Sequence, residues 1–406
     1  MAGSRPRWRL LFAAGVVAGL LLGGTACGQV PGPGTGSPRA SGSPQASTPA
    51  RSVSSSSASA VASAGPAGGT TADPVPAGFA ATSVTWVSPA EGFVLGTAPC
   101  PHAPCTSIGR TRNRGVSWTG LPAPPVPVGA PGQAGVVWGI RFATPEHGFV
   151  FGDGLWETTD GGQRWSRVPA PFGSVLALAI VPGQVLALVA RGLDQTGFVV
   201  RRPLSGGIWT GITKAGVTSL IDPDDLIATQ AGVAAVVVYH DVIVIRPGQL
   251  GFALHPVPCP LPAQPSSVAV ISATRLAILC TGEGYTGHTI KQVYVSGDDG
   301  AGWLPAGRPS PAGDGGTLAA TTTGQLAIAT ESAASWLFYS PNAGVGWQIV
   351  NQQDDGGQGW ADLGFTTATD GVVVRGPADS DGNATGRPGQ LFLTDDAGAS
   401  WYRVSF

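Results

Sequence analysis

The stretch TTDGGQRW, Thr158 to Trp165, recurs along this chain on a fixed skeleton. It returns as TRNRGVSW ending at Trp118, SGDDGAGW at Trp303, SPNAGVGW at Trp347 and TDDAGASW at Trp401. Ser or Thr stands first, Asp or Asn third, Gly fifth and Trp eighth. The fixed positions are Thr111, Asn113, Gly115 and Trp118; Thr158, Asp160, Gly162 and Trp165; Ser296, Asp298, Gly300 and Trp303; Ser340, Asn342, Gly344 and Trp347; Thr394, Asp396, Gly398 and Trp401. The Trp-to-Trp steps are 47, 44 and 54 residues, with one gap of 138, or three steps of 46. Spacing of roughly 40 to 50 residues is that of a four-stranded propeller blade. Worn octets ending at Trp209 (RPLSGGIW) and Phe252 (IRPGQLGF) fill the gap and bring the blade count to seven.

A short strand, a turn and another strand precede each octet. VTWVSPAEGFVLG from Val84 and IRFATPEHGFVFG from Ile140 are near copies. Each blade therefore runs inner strand, second strand, third strand, octet, outer strand, and the fold class is an all-β seven-bladed propeller of antiparallel sheets. Gly 62 and Pro 36 beside 11% charged residues suit many short strands and tight turns. Within the octet, Asp160 and its equivalents can accept backbone N–H groups, Gly162 supplies a positive φ, and Trp165 can pack between sheets. The octet is thus a structural device rather than a catalytic one.

Residues 1–27 read as an export signal: Arg5, Arg7 and Arg9, then an apolar run of 13 residues from Leu10 to Leu22, shorter than the roughly 20 that span a bilayer. Gly24, Thr25 and Ala26 before Cys27 look like the lipobox of bacterial lipoproteins, with Gly24 where that motif usually has Leu. The resemblance implies acylation of Cys27 and a place on the outer face of the bacterial cytoplasmic membrane. Residues 28–77, rich in Ser, Pro, Ala and Gly, have too few large apolar side chains to offset the entropy of ordering. They read as a disordered tether with a coil span of about 40 Å, and residues 78–406 as the propeller. An exported chain with Cys100, Cys105, Cys259 and Cys280 is expected to form two disulfides. Four cysteines allow three connectivities; the pairings that close short loops are Cys100 with Cys105 and Cys259 with Cys280.

The octets resemble the Asp-box, or BNR, repeat of sialidases and of many non-catalytic propellers. A more similar group is a set of exported propellers that includes photosystem II assembly factors, which act by holding other proteins. Sialidases need three arginines, a Tyr–Glu nucleophile pair and an Asp acid/base, and an Arg-Ile-Pro element normally precedes their first box. That triplet is missing here, and Tyr and Glu number five each. Tyr339 and Tyr402 flank octets, and Glu91 and Glu146 sit in the repeated hairpins as turn residues. No G-x-S-x-G, H-E-x-x-H or phosphate-binding Gly-Lys-Ser/Thr element occurs. No catalytic residue, metal or cofactor is assigned. DSDGN from Asp379 echoes a calcium loop, but Ala384 and Gln390 replace the needed Gly and Glu.

Octet turns share one face of a propeller with the turns between first and second strands. The opposite face holds the second-to-third-strand loops and the blade connections, and here those vary most. Glu283, Tyr285, His288, Asp379, Asp381 and Asn383 on that face are the candidate partner-binding residues. Net charge −2 and an exported address disfavour nucleic acid. The expected function is a monomeric, membrane-anchored binding or assembly module for an envelope protein or glycan. The alternatives are an exo-sialidase-type hydrolase and a structural envelope protein.

Overall fold

The computed structural model describes residues 74–101, 104–169, 173–191, 196–212, 217–218, 227–230, 232–238, 240–249, 251–353, 358–376 and 387–406. These residues form seven antiparallel sheets, each a meander of consecutive strands. Blade one is β1 Ala80–Trp86, β2 Gly92–Ala98, β3 Cys105–Thr111 and β4 Thr119–Leu121. Blade two is β5 Val137–Phe142, β6 Gly148–Gly152, β7 Leu155–Thr158 and β8 Ser166–Val168. Blade three is β9 Ser174–Val181, β10 Gln184–Arg191, β11 Thr196–Pro203 and β12 Thr210–Gly211, with β13 Val217–Thr218 also pairing with β11. Blade four is β14 Ile227–Gln230, β15 Val233–Val238, β16 Asp241–Ile245 and β17 Ala253–Pro256. Blade five is β18 Gln264–Val270, β19 Leu276–Tyr285, β20 His288–Ser296 and β21 Leu304–Gly307. Blade six is β22 Asp314–Ala320, β23 Leu326–Glu331, β24 Ser335–Ser340 and β25 Gln348–Gln353. Blade seven is β26 Trp360–Phe365, β27 Gly371–Arg375, β28 Gln390–Thr394 and β29 Tyr402–Arg403. The chain is a seven-bladed β-propeller, and both worn octets, ending at Trp209 and Phe252, lie between third and fourth strands.

A radial gradient of polarity explains why these segments take these places. Second strands such as GFVFG of β6 and GVVVR of β27 are buried throughout, because neighbouring blades cover both of their faces. Outer strands such as SRV of β8 and YR of β29 are short and largely exposed. The core is therefore a series of layers between blades. Phe93, Leu95 and Ile108 of blade one meet Val137, Ile140 and Phe142 of blade two, with the Phe93 and Phe142 rings stacked at 3.6 Å. Bulges near the start of β1 and β18 turn Ser83 and Ser267 toward the next inner strand. Ser83 Oγ accepts Ile140 N–H at 3.1 Å and Ser267 Oγ accepts Leu318 N–H at 2.8 Å.

The ring closes without a shared strand, since β1–β4 and β26–β29 are each consecutive. Val84, Val94 and Trp118 pack on Val372, Val374, Leu391 and Leu393. The Phe406 ring lies 4.7 Å from Phe79 and 5.2 Å from Trp118. Asp362 accepts Val84 N–H at 2.7 Å on one side and pairs with Arg141 of blade two on the other. That carboxylate holds three consecutive blades.

The octets span the turn from third to fourth strand and share one hydrogen-bond pattern. The first-position hydroxyl accepts the Gly N–H at 2.8 to 3.0 Å in all five and donates to the third-position carboxylate or amide oxygen. The same oxygen accepts the N–H of the seventh residue, as Arg164 N–H to Asp160 at 2.9 Å and Gly346 N–H to Asn342 at 2.8 Å. The octet glycines have φ from 79° to 95°, and the residue before each is also left-handed, including Arg114, Asp299, Ala343 and Ala397. Positive φ was expected of the glycine alone. The preceding residue turns its N–H onto the hairpin between first and second strands: Arg114 to Ala90 O, Gly161 to Glu146 O, Asp299 to Thr274 O and Ala397 to Thr369 O, at 2.8 to 3.0 Å. Trp165 Nε1 donates to Pro122 O of blade one, whereas Trp118 and Trp401 donate back to their own octet glycines.

Backbone N–H donors hold the Asp160 and Asp298 carboxyls below the ordinary aspartate range, Arg164 acting on the first and Gly302 on the second. At Asp396, burial pushes upward and is outweighed by Ser400 and Thr394, so its carboxyl is also lowered. A depressed folded-state value contributes stability above the unfolded pKa and loses it as pH falls through the folded one. Stability should therefore decline below about pH 4. The Asp160→Asn/Asp298→Asn/Asp396→Asn variant should show a shallower decline in urea titrations from pH 7 to 2, as Asn113 and Asn342 already occupy this position without titrating. Asp362→Asn should cost about 1–3 kcal/mol by urea midpoint, against less than about 0.5 for exposed Asp395→Asn.

Candidate functional site

Octet N–H bonds to the inner hairpins recur in four blades and give one face of the ring a repeated build. The opposite face is built from unlike parts. On blade one, Cys100 and Cys105 are joined across the loop that opens β3, with Cα atoms 5.7 Å apart. Next to this disulfide, Thr106 Oγ1 donates to Val126 O in the connection to blade two. Asp153 then ties two connections, accepting Gly135 N–H at 2.7 Å and Ser174 Oγ–H at 2.9 Å.

Blade five carries a hairpin that extends past the strand beside it. Cys259, in the connection from blade four, is bonded to Cys280 of β19, Cα to Cα 5.4 Å. Both disulfides therefore brace the variable face. Beyond Cys280 the β19–β20 hairpin continues to a two-residue turn closed by the Tyr285–His288 pair, whose rings are 5.2 Å apart. Gly287 provides the turn's left-handed residue with φ 73°. Tyr285 is 65% exposed and Glu283 is exposed in the irregular stretch between Thr281 and Gly284. Three expected contact residues thus share one hairpin. The other three, Asp379, Asp381 and Asn383, lie outside the described residues, as do Cys27 and the tether through residue 73.

Lys291 was not singled out from the sequence. Its side chain is buried beneath this hairpin, where the three N–H groups of Nζ are shared among five acceptors, Thr289 O and Oγ1, Pro311 O, Ala312 O and Gly313 O, at 2.7 to 3.2 Å. Burial pushes its pKa down to about 8, against the opposing pull of Asp314. At neutral pH the ammonium form adds a charged donor to carbonyls that Thr289 N–H and Thr330 Oγ1 also reach, and so pins the hairpin to the connection at 308–313. The available signal was its phase: Lys291 alternates with Val293 on β20, so it points inward with the apolar set.

The site offers surfaces and hydrogen-bonding edges, with little that resembles acid–base machinery. The seven innermost strands β1, β5, β9, β14, β18, β22 and β26 contain no Tyr and no Glu. Burial raises the phenols of Tyr339 and Tyr402, helped by Asp396 at the first and by Asp395 and Asp370 at the second, the wrong direction for a nucleophile. Glu91 lies at the end of a turn and also accepts Arg110 Nε–H at 2.6 Å. Among the described residues, no group of three or more His, Cys, Asp or Glu side chains could hold a metal ion.

No protein-family model matches the chain, and no curated protein matches it in sequence. Similar folds are found among solved structures. YCF48 from Cyanidioschyzon merolae aligns over 80% of this chain and 98% of its own, at 14% identity and a TM-score of 0.52. A structure of YCF48 bound to D1 peptide aligns over 82% and 96%, at 17% identity and a TM-score of 0.49. A prolyl endopeptidase aligns over 80% of this chain and 49% of its own, at 12% identity and 0.50. At such identities the likeness is one of fold.

The two disulfides close sequence separations of 5 and 21 residues. Chain-entropy estimates put their contributions at about 2 and about 3 kcal/mol. Cys259→Ser/Cys280→Ser should therefore lower the urea midpoint more than Cys100→Ser/Cys105→Ser. Equal effects would overturn the ordering by loop length.

Proposed function

We propose that this chain is a non-catalytic, Asp-box-type propeller that binds a protein partner in a bacterial cell envelope, held to the membrane through acylated Cys27. The observation that carries this reading is the asymmetry of the two faces. One is fastened by five octet turns that share a hydroxyl-to-carboxylate or hydroxyl-to-amide clamp, four of which bond the hairpin beside them. The other varies from blade to blade and carries both disulfides, which brace loops without adding chemistry. Rigid, irregular loops on a uniform scaffold are what recognition requires. The absence of Tyr and Glu from the innermost strands argues against the sialidase-type alternative, because that chemistry draws on groups converging near the axis. The lipobox-like sequence and the long tether favour an anchored protein that reaches its partner.

The test is chemical crosslinking of the tagged full-length protein in native membranes, with Cys27→Ala as control. A discrete protein partner, diminished in the Cys27→Ala form, is the expected result. Background proteins only, or turnover of a sialoside by the purified protein, would overturn the reading.

A further inference from the structure

The β19–β20 hairpin outruns the strand beside it. The last rung between β18 and β19 joins Gln264 to Thr281, yet β19 continues to Tyr285. Pairing with β20 resumes at Gly284–Thr289 and Tyr285–His288. Thr289 donates its N–H away from the hairpin, to Pro311 O at 3.2 Å and Gly313 O at 3.1 Å. In an antiparallel pair, opposed residues both face in or both face out. Gly284 must therefore turn its own N–H and C=O to the other edge, where β18 has ended. Ala263, just before β18, lies against Gly282, and among the described residues no backbone hydrogen bond is made to the outward edge of Gly284. Because β18 is the innermost strand of blade five, the open edge faces the axis of the ring.

Its surroundings describe what would fit. The overhang of four residues is about 13 Å long, enough for a short added strand. A Cβ on Gly282 would lie 3.6 Å from Ala263 Cβ and 4.0 Å from Ile290 Cβ, so the base of the overhang packs on apolar groups. Leu261 in the incoming connection is 79% exposed, and Tyr285 and Ile290 on the hairpin are 65% and 52% exposed. Glu283 supplies the charge on the overhang. The nearby cations are engaged, Lys291 by carbonyls and Arg308 Nε by Gln292 Oε1 at 2.9 Å. Lys291 and the Cys259–Cys280 bond hold the hairpin and its flank in place.

We propose that the Gly282–Tyr285 edge accepts an extended segment of the partner protein as an added strand, with apolar residues alternating with Lys or Arg. Backbone hydrogen bonds would supply affinity, Leu261, Ile290 and Tyr285 would receive the apolar side chains, and Glu283 would select for cations. This assignment rests on the binding reading above and names the partner's chemistry at that face.

The probes are two extended decapeptides, one alternating Val with Lys and one alternating Val with Glu, added to the full-length protein. Fluorescence anisotropy reads binding and amide hydrogen exchange reads location. The Lys peptide should bind at least about tenfold more tightly than the Glu peptide and slow exchange at Gly284; Glu283→Arg should reverse the preference. A structural role for Glu283 alone would not produce that reversal. Equal binding of both peptides, or protection away from 282–285, would overturn the proposal. So would protection of this edge before any peptide is added, which would make the tether or a second copy the occupant. If Leu261→Asp/Glu283→Arg still captures the envelope partner undiminished, the edge assignment fails while the binding reading stands. If neither peptide binds and no partner is captured, both fail.

Discussion

Each blade is a small sheet whose middle strands are apolar on both faces, and that constraint dictates the rest. A four-stranded sheet of this kind cannot stand in water, because strands such as VAAVVV of β15 have no polar side to present. Stacking on a neighbour buries one face and exposes the next problem at the far side. A closed ring is the arrangement in which every face is covered. Closure then falls on the joint between blades seven and one, where no strand crosses. There Asp362, Arg141 and the Phe79–Phe406–Trp118 rings act together, and the Asp362 carboxylate bonds both the blade-one backbone and a blade-two side chain.

The octet solves a second problem, how to turn tightly from third to fourth strand while fixing the hairpin beside it. Two consecutive left-handed residues reverse the chain, a conformation unfavourable to side chains such as those of Arg114 and Asp299. The hydroxyl-to-carboxylate clamp offsets that cost by satisfying the Gly and seventh-residue amides. It also frees the N–H of the intervening residue to reach the inner hairpin. A single eight-residue pattern thereby aligns both turns of a blade, which explains how the two worn octets can survive in a ring where five others hold register.

Much of this was legible in the sequence because it repeats. Ser/Thr, Asp/Asn, Gly and Trp at fixed offsets gave the turn, their spacing the number of blades, and short cysteine loops the two pairings. What could not be read comes from contacts made once. The first-position hydroxyl looked like mere composition until its donor and acceptor partners were placed. Asp362 and Arg141 are 221 residues apart, and no local pattern marks them as a pair. Asp153, between two connections, is likewise silent. On the candidate face, Glu283, Tyr285 and His288 fell together because they share one hairpin, a local fact. The open edge beside them follows from β18 stopping at Gln264, which only strand pairing reveals.

The placement of Lys291 joins fold to function. A lysine buried under a surface hairpin is a costly way to hold a loop, since burial drives its pKa toward neutrality and a neutral amine donates fewer hydrogen bonds. An apolar residue there would pack but would leave the carbonyls of Pro311, Ala312 and Gly313 with only Thr289 N–H and Thr330 Oγ1 as donors. The chain thus spends a charge to keep the tip of blade five rigid, where elsewhere on the same face a disulfide or a single Asp serves. Rigidity is useful at this place because the hairpin projects past its neighbour with one edge open. A loose edge would lose to chain entropy most of what an added strand could gain. The same order of causes runs from an inward-phased Lys, through a pinned hairpin, to an edge ready for pairing.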